Sequence, residues 1–162
     1  MRLIYLVVSG ALVASAATAQ SQLEPLSRLM QRPPDQVEVG YPFVRCAGLY
    51  SGAIRYGGAN FGEELLTGFQ DGYSRNLVVA SLFRMSHAKE NGYPVGDIET
   101  RAKQAMKEAD RMADFYADRM EQNYASSGQA MGNDPLIMGD LEACKKLGLV
   151  VEAVYESAGA SR

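Results

Sequence analysis

Helical spacing of apolar side chains is the feature that most constrains the fold of this chain. From Pro42 to Val154, apolar residues recur at intervals of three and four along four successive segments. That interval places side chains on one face of an α-helix, whereas a half-buried strand alternates at every second residue. No segment shows convincing strand alternation. The pattern therefore predicts an all-α domain in which each helix buries one face.

Turn and cap residues divide this pattern into four helices. Gly57 and Gly58 are typical of a helix end, and Asn60 and Asp97 are expected N-caps of the next two helices. Pro135 follows Asp134, which is typical of a helix start. The predicted helices span 42–57, 61–90 and 98–126, with a fourth from 135 onward. Short connections between such helices favour an antiparallel up-down four-helix bundle.

Two cysteines give an independent test of this topology. Cys46 lies roughly 16 Å before the end of the first helix, and Cys144 roughly 15 Å after the start of the fourth, at the rise of an α-helix. In an up-down order those two ends meet, so the cysteines reach one level on apolar faces. We therefore predict an interhelical disulfide between Cys46 and Cys144. The alternative is a reactive thiol or a soft metal ligand.

The N-terminal residues have the composition of an export signal. Arg2 precedes an apolar run, and Ala17-Thr18-Ala19 offers a small-x-small cleavage site. We expect residues 1–19 to be a cleaved signal peptide, leaving no membrane anchor; a retained N-terminal membrane helix is the alternative. The remaining predicted parts are an extended lead-in over 20–41 with a short helix, the bundle over 42–158 and a frayed tail over 159–162. An even cysteine count and this signal predict a periplasmic or secreted protein.

Charge excludes two classes of partner. The chain has 16 Lys and Arg against 19 Asp and Glu, a formal net charge of −3, and the signs are mixed along it. Nucleic-acid binding favours a clustered basic face, and anionic membranes attract polybasic segments. Neither feature is present in the sequence.

Four glycines inside the first two helices invite a packing explanation. Glycine costs about 1 kcal/mol relative to alanine inside a helix. A turn near residue 60 would place Gly48 opposite Gly72 and Gly52 opposite Gly68, so we predict close approach of the first two helices there. The alternative is that these glycines are tolerated on half-exposed faces.

Unequal helix lengths predict a cleft. The first helix is much shorter than the second and third, so the far halves of those two helices lack a complete fourth wall. The lead-in, from Leu23 to Met30, is the expected cover. An apolar cleft for a ligand or partner is predicted where that cover is loose. Its expected lining is Leu77, Phe83, His87, Ile98 and Ala102.

Few residues suggest chemistry. His87 is the only histidine, and a surface or capping role explains it as well as a catalytic role does. Two further sets share the third helix: the aspartates Asp110, Asp114 and Asp118, and the methionines Met106, Met112 and Met120. A hard cation or Cu(I) would suit such sets, but a solvated acidic face and core filling explain them without a metal.

The sequence thus favours an exported, non-enzymatic helical protein that binds an unknown protein or a small apolar ligand. No cofactor motif, phosphate-binding glycine loop or catalytic constellation is recognisable. The alternative is a periplasmic helical protein that binds a metal or cofactor through His87, the methionines or the aspartates.

Overall fold

A computed structural model describes residues 23–157 and 159. The predicted signal peptide, the first residues of the lead-in and most of the predicted tail lie outside these described residues. Within them the protein is helical and contains no strand, which confirms the all-α prediction. The helices are α1 (Leu26–Leu29), α2 (Tyr41–Gly57), α3 (Glu63–Glu90), α4 (Ile98–Ser127) and α5 (Pro135–Ser157), with 3-10 turns at Pro34–Gln36 and Gly58–Asn60.

Most helix ends follow from the local sequence. Gly58 adopts a φ of +43° after α2, a conformation that favours glycine. Asp97 caps α4 by accepting the backbone N–H of Thr100 at 2.7 Å, and these hydrogen bonds lower the pKa of Asp97. Asp134 accepts the N–H groups of the second and third residues of α5. The prediction of Asn60 as an N-cap is wrong, because Asn60 closes a 3-10 turn and α3 starts at Glu63 instead.

Side-chain contacts fix the directions of the long helices. Phe43 stacks on Phe83 and Tyr50 stacks on Phe69, with ring centroids 5.2 and 5.9 Å apart, so α2 and α3 are antiparallel. Residues later in α2 contact residues later in α4, so these two helices run in the same direction. Tyr116 of α4 contacts Asp140 of α5, and Arg119 of α4 contacts Asp134, which caps the start of α5. These two helices are therefore antiparallel. The predicted up-down order and the Cys46–Cys144 disulfide, with Cα atoms 5.5 Å apart, are confirmed.

α4 packs directly against the glycines of α2. This contact corrects the prediction that these glycines pair with the glycines of α3. A Cβ atom built on Gly48 would lie 2.5 Å from Cβ of Met112, and one on Gly52 would lie 2.6 Å from Cβ of Tyr116. No side chain fits at either position, so α2 and α4 approach each other across bare backbone. α4 lies parallel to α2 and directly against it, whereas the predicted pairing assumed contact with the next helix along the chain.

The glycines of α3 have different surroundings. Gly72 lies against the ring of Tyr50, where an added Cβ would be 2.8 Å from the ring. An added Cβ on Gly68 would meet no atom within 4 Å. The two pairs of glycines therefore do not face each other.

A buried ion pair joins α2 to α5. Arg45 and Asp140 are 1% and 0% exposed. Arg45 donates from Nε and Nη2 to Oδ2 of Asp140 at 2.9 and 2.7 Å, and the Tyr116 hydroxyl donates to the same oxygen. Burial and the negative charge of Asp140 raise the pKa of Tyr116; burial lowers the pKa of Arg45, but Tyr116 and Asp140 raise it by more. Both groups therefore hold their protons throughout the physiological range.

The same carboxylate holds the lead-in. The backbone N–H of Leu26, the first residue of α1, donates to Oδ1 of Asp140 at 2.6 Å, and the Leu26 side chain is fully buried. Asp140 therefore acts as an N-cap supplied from a distant part of the chain. A short helix in the lead-in was predicted, but α1 packs on α5 rather than covering α3 and α4.

Replacing Gly52 by leucine should destabilise the protein strongly. A Cβ there overlaps Tyr116 and the carbonyl of Ala113, so α2 and α4 must separate. We expect a loss of about 3 kcal/mol or more in the free energy of unfolding, measured by urea denaturation. Gly68→Leu is the matched control because its new side chain meets open space, and it should not lower stability. Equal losses in both variants would contradict this packing.

Removing the Asp140 carboxylate should cost about 3–5 kcal/mol, because Arg45 would remain buried without its counter-charge. The comparison is between Asp140→Ala, Arg45→Met and the double variant Arg45→Met/Asp140→Leu, by urea denaturation. The double variant should lose less than Asp140→Ala does. If the double variant instead lost the sum of the losses of the two single variants, the pair would not be coupled.

Candidate functional site

The first half of α3 has no buried side chain. From Glu63 to Arg75 every residue is at least partly exposed, whereas Asn76, Leu77, Val79, Ala80 and Ser81 are all buried. The exposed half nonetheless carries Leu65, Leu66, Phe69 and Tyr73. An apolar helix face normally packs against another element. Here no helix of the described chain covers it completely.

A groove runs along this uncovered half, between α3 and the end of α2. We call it the hairpin groove. Its volume is about 560 Å³. The lining residues are Tyr50, Gly62, Glu64, Leu65, Gly68, Phe69 and Gly72.

Aromatic rings form one wall of the hairpin groove. Phe69 stacks on Tyr50 and meets Phe61 edge to face, with a centroid distance of 5.6 Å for the second pair. Burial raises the pKa of Tyr50, because this phenol is largely enclosed by its neighbours. Leu65 lies one turn before Phe69 on the same face of α3 and is 49% exposed. The wall is therefore held by packing, while the apolar surface of Leu65 remains accessible.

Gly68 keeps the groove open. It lies in the middle of a helix, where glycine costs about 1 kcal/mol relative to alanine. Unlike Gly48 and Gly52, it contacts no neighbouring helix that a side chain would displace. Packing within the fold therefore does not explain this glycine. A side chain at this position would project into the groove.

The five residues predicted to line one apolar cleft lie in separate environments. Leu77 is 6% exposed and belongs to the core, and Phe83 is stacked on Phe43. Ile98 is exposed and Ala102 is half-buried. Of the five, only Phe83 lines an apolar cavity with the lead-in; its volume is about 290 Å³, and the rest of its lining comes from the segment between Leu29 and Pro42.

His87 lines a different, polar cleft between α3 and α4. Arg84 and Arg101 are its main cationic residues. Arg84 donates to Glu38 and to Glu108, each at 2.7 Å, and Arg101 donates to the carbonyls of Pro94 and Val95. The pKa of Arg84 is raised, because the two carboxylates outweigh the lowering effect of burial. Because Arg84 and Arg101 already have hydrogen-bond partners within the protein, we interpret these residues as stabilising the fold and not as binding a ligand.

Metal-binding geometry is not found in the part of the chain that the structure describes. No group of three or more His, Cys, Asp or Glu residues is arranged to hold an ion there. Asp110 and Asp114 bind Arg55, and Asp118 is solvent-exposed. Among the methionines, Met120 is buried in the core and Met106 is exposed.

Comparison with protein-family models, curated proteins and solved structures finds no match to this chain. No helix among the described residues is both long and apolar enough to cross a bilayer. The hairpin groove is therefore selected on its geometry alone. Gly68 and Gly72 were predicted from the sequence to pack closely against α2. The missed signal is the apolar run beside them, from Leu65 to Tyr73, in which every residue is at least partly exposed.

Replacing Leu65 by aspartate should be nearly neutral for stability. Leu65 is half exposed, so we expect the free energy of unfolding to change by less than about 1 kcal/mol. Leu77→Asp, on the same helix, should cost several kcal/mol because it buries a charge in the core. Thermal denaturation followed by circular dichroism measures both. If Leu65→Asp destabilised the protein as much as Leu77→Asp, the groove would be closed in solution.

Proposed function

We propose that this chain is an exported, non-enzymatic binding protein whose hairpin groove receives a segment of a partner protein. One observation carries this proposal: half of α3 has no buried side chain, with Leu65 exposed beside the partly buried rings of Phe69 and Tyr73. Contiguous exposed apolar surface is costly in solution and marks interaction sites.

The shape of the groove favours a protein segment over a small molecule. Pockets for small ligands enclose most of the ligand surface. The hairpin groove instead follows a helix, and its lining residues are spaced at three and four along α3. A groove of this form suits a helix laid along it, with apolar residues as anchors.

Two features support export. The N-terminal residues have the order of a signal peptide, with a basic start, an apolar run and a small-x-small site. The disulfide between Cys46 and Cys144 suits an oxidising compartment such as the periplasm or the extracellular space.

A matched pair of glycine variants tests the binding proposal. Gly68→Leu would fill the hairpin groove, whereas Gly148→Leu adds the same side chain to an equally open position on α5. Both variants should fold, since a Cβ added at either position meets no atom within 4 Å. Native protein carrying a photo-crosslinking residue in place of Leu65 should capture a partner. We expect capture to fall at least about tenfold, equivalent to 1.4 kcal/mol, when Gly68→Leu is added and to persist with Gly148→Leu.

Circular dichroism and disulfide mapping of both variants provide the folding control. Capture that survives Gly68→Leu would contradict binding through the groove. Equal loss in both variants would also contradict it, because Gly148 lies outside the groove lining.

A further inference from the structure

We propose that the occupant of the hairpin groove is a cationic amphipathic helix of another protein. This inference rests on the proposed function and specifies the chemistry of the partner. It depends on the charge around the groove and on the spacing of its glycines.

The rim of the groove is acidic at Glu64, which lines it, and at Asp71, which lies two turns further along the same side of α3. Glu63, Glu64 and Asp71 are exposed, and no Lys or Arg occurs from residue 56 to residue 74. Within the described residues, none of these three carboxylates forms an ion pair. A cationic partner would therefore find unpaired negative charge on the face that also offers apolar surface.

The arginines that flank this stretch do not neutralise the rim. Arg55 binds Asp110 at 2.7 Å and also binds Asp114. Arg75 binds Glu152, and its guanidinium lies 5.1 Å from the centre of the Tyr155 ring. Both cations are therefore directed toward α4 and α5 and away from the groove.

Helix stability explains only part of this charge. Glu63 and Glu64 lie in the first turn of α3, where carboxylates interact favourably with the helix dipole. Asp71 lies more than two turns further along, beyond the range of that effect. Its charge therefore needs another explanation, and a cationic partner provides one.

The molecule itself contains a comparable arrangement that receives a helix. Gly48 and Gly52 stand four residues apart on α2 and admit α4 at close range. Gly68 and Gly72 have the same spacing on α3, and Gly68 faces open space. Small residues at this spacing allow helix backbones to approach closely. Tyr50 covers Gly72, so Gly68 is the open position of this pair and the place where a helical occupant can approach the backbone of α3.

Synthetic peptides test the charge of that occupant. The protein has no tryptophan, so the fluorescence of a single tryptophan in a peptide reports on the peptide alone. Three peptides of equal length would be titrated with the purified mature protein: an amphipathic helix with lysines on its polar face, the same helix with glutamates, and a scrambled lysine peptide. We expect a blue shift and saturable binding for the first peptide only.

Two variants locate the binding. Glu63→Gln/Glu64→Gln/Asp71→Asn should weaken binding of the lysine helix roughly tenfold, and so should raising the salt concentration. Gly68→Leu should weaken it at least as much, whereas Gly148→Leu should leave it unchanged.

Equal binding of the lysine and glutamate helices, or full affinity in the neutralised variant, would overturn the charge inference. Absence of any peptide binding, with Gly68-dependent capture intact, would overturn it and leave the proposed function standing. Self-association of the protein that Gly68→Leu abolishes in sedimentation experiments would overturn it in favour of a second copy. If the protein captured no partner, or if Gly68→Leu did not reduce the capture, the proposed function itself would be contradicted.

Discussion

The contact between Arg45 and Asp140 connects more of this molecule than any other side-chain interaction in the described structure. One carboxylate receives the guanidinium of α2, the Tyr116 hydroxyl of α4 and the first N–H of α1, while it belongs to α5 itself. Four helices therefore share a single buried charge. A buried carboxylate without its partners would cost on the order of several kcal/mol of free energy. The helices therefore pack in this arrangement only when all partners of Asp140 are in place. This network fixes which residue of each helix lies at the same height along the bundle.

Close packing of α2 on α4 is the second constraint. Gly48 and Gly52 allow those backbones to meet, and this contact makes α2 the central helix. The central position of α2 leaves α3 on one side, and within the first half of α3 the side-chain contacts with α5 are those of Arg75, its last residue. The hairpin groove is thus a consequence of how the bundle is assembled. The same glycine spacing appears twice: Gly48 and Gly52 receive α4, whereas on α3 Tyr50 covers Gly72 and only Gly68 is open.

Much of the architecture was predictable because it depends on local patterns. Apolar spacing, glycine ends and the caps at Asp97 and Asp134 gave the helices nearly to the residue, and the levels of Cys46 and Cys144 gave their order. The site was not predictable, because it depends on which helices touch. The spacing of Gly48 and Gly52 shows that a close contact exists but not whether α3 or α4 makes it. Asp140 lies one turn before Cys144, on the inner face, and that position was a missed sign of a buried carboxylate. Nothing in the sequence indicated that Phe43 would stack on Phe83 or that Leu77 would belong to the core.

The N-cap that Asp140 provides to α1 has a consequence for the order of folding. The residues that make this contact, Leu26 and Asp140, are separated by 114 positions. A chain emerges from the ribosome N-terminus first. Although α1 precedes α5 in the chain, it must therefore wait for α5 before it can dock, and it is too short to persist alone in water. Docking of α1 is thus a late, long-range event in which a segment made early finds its place only after α5 has formed.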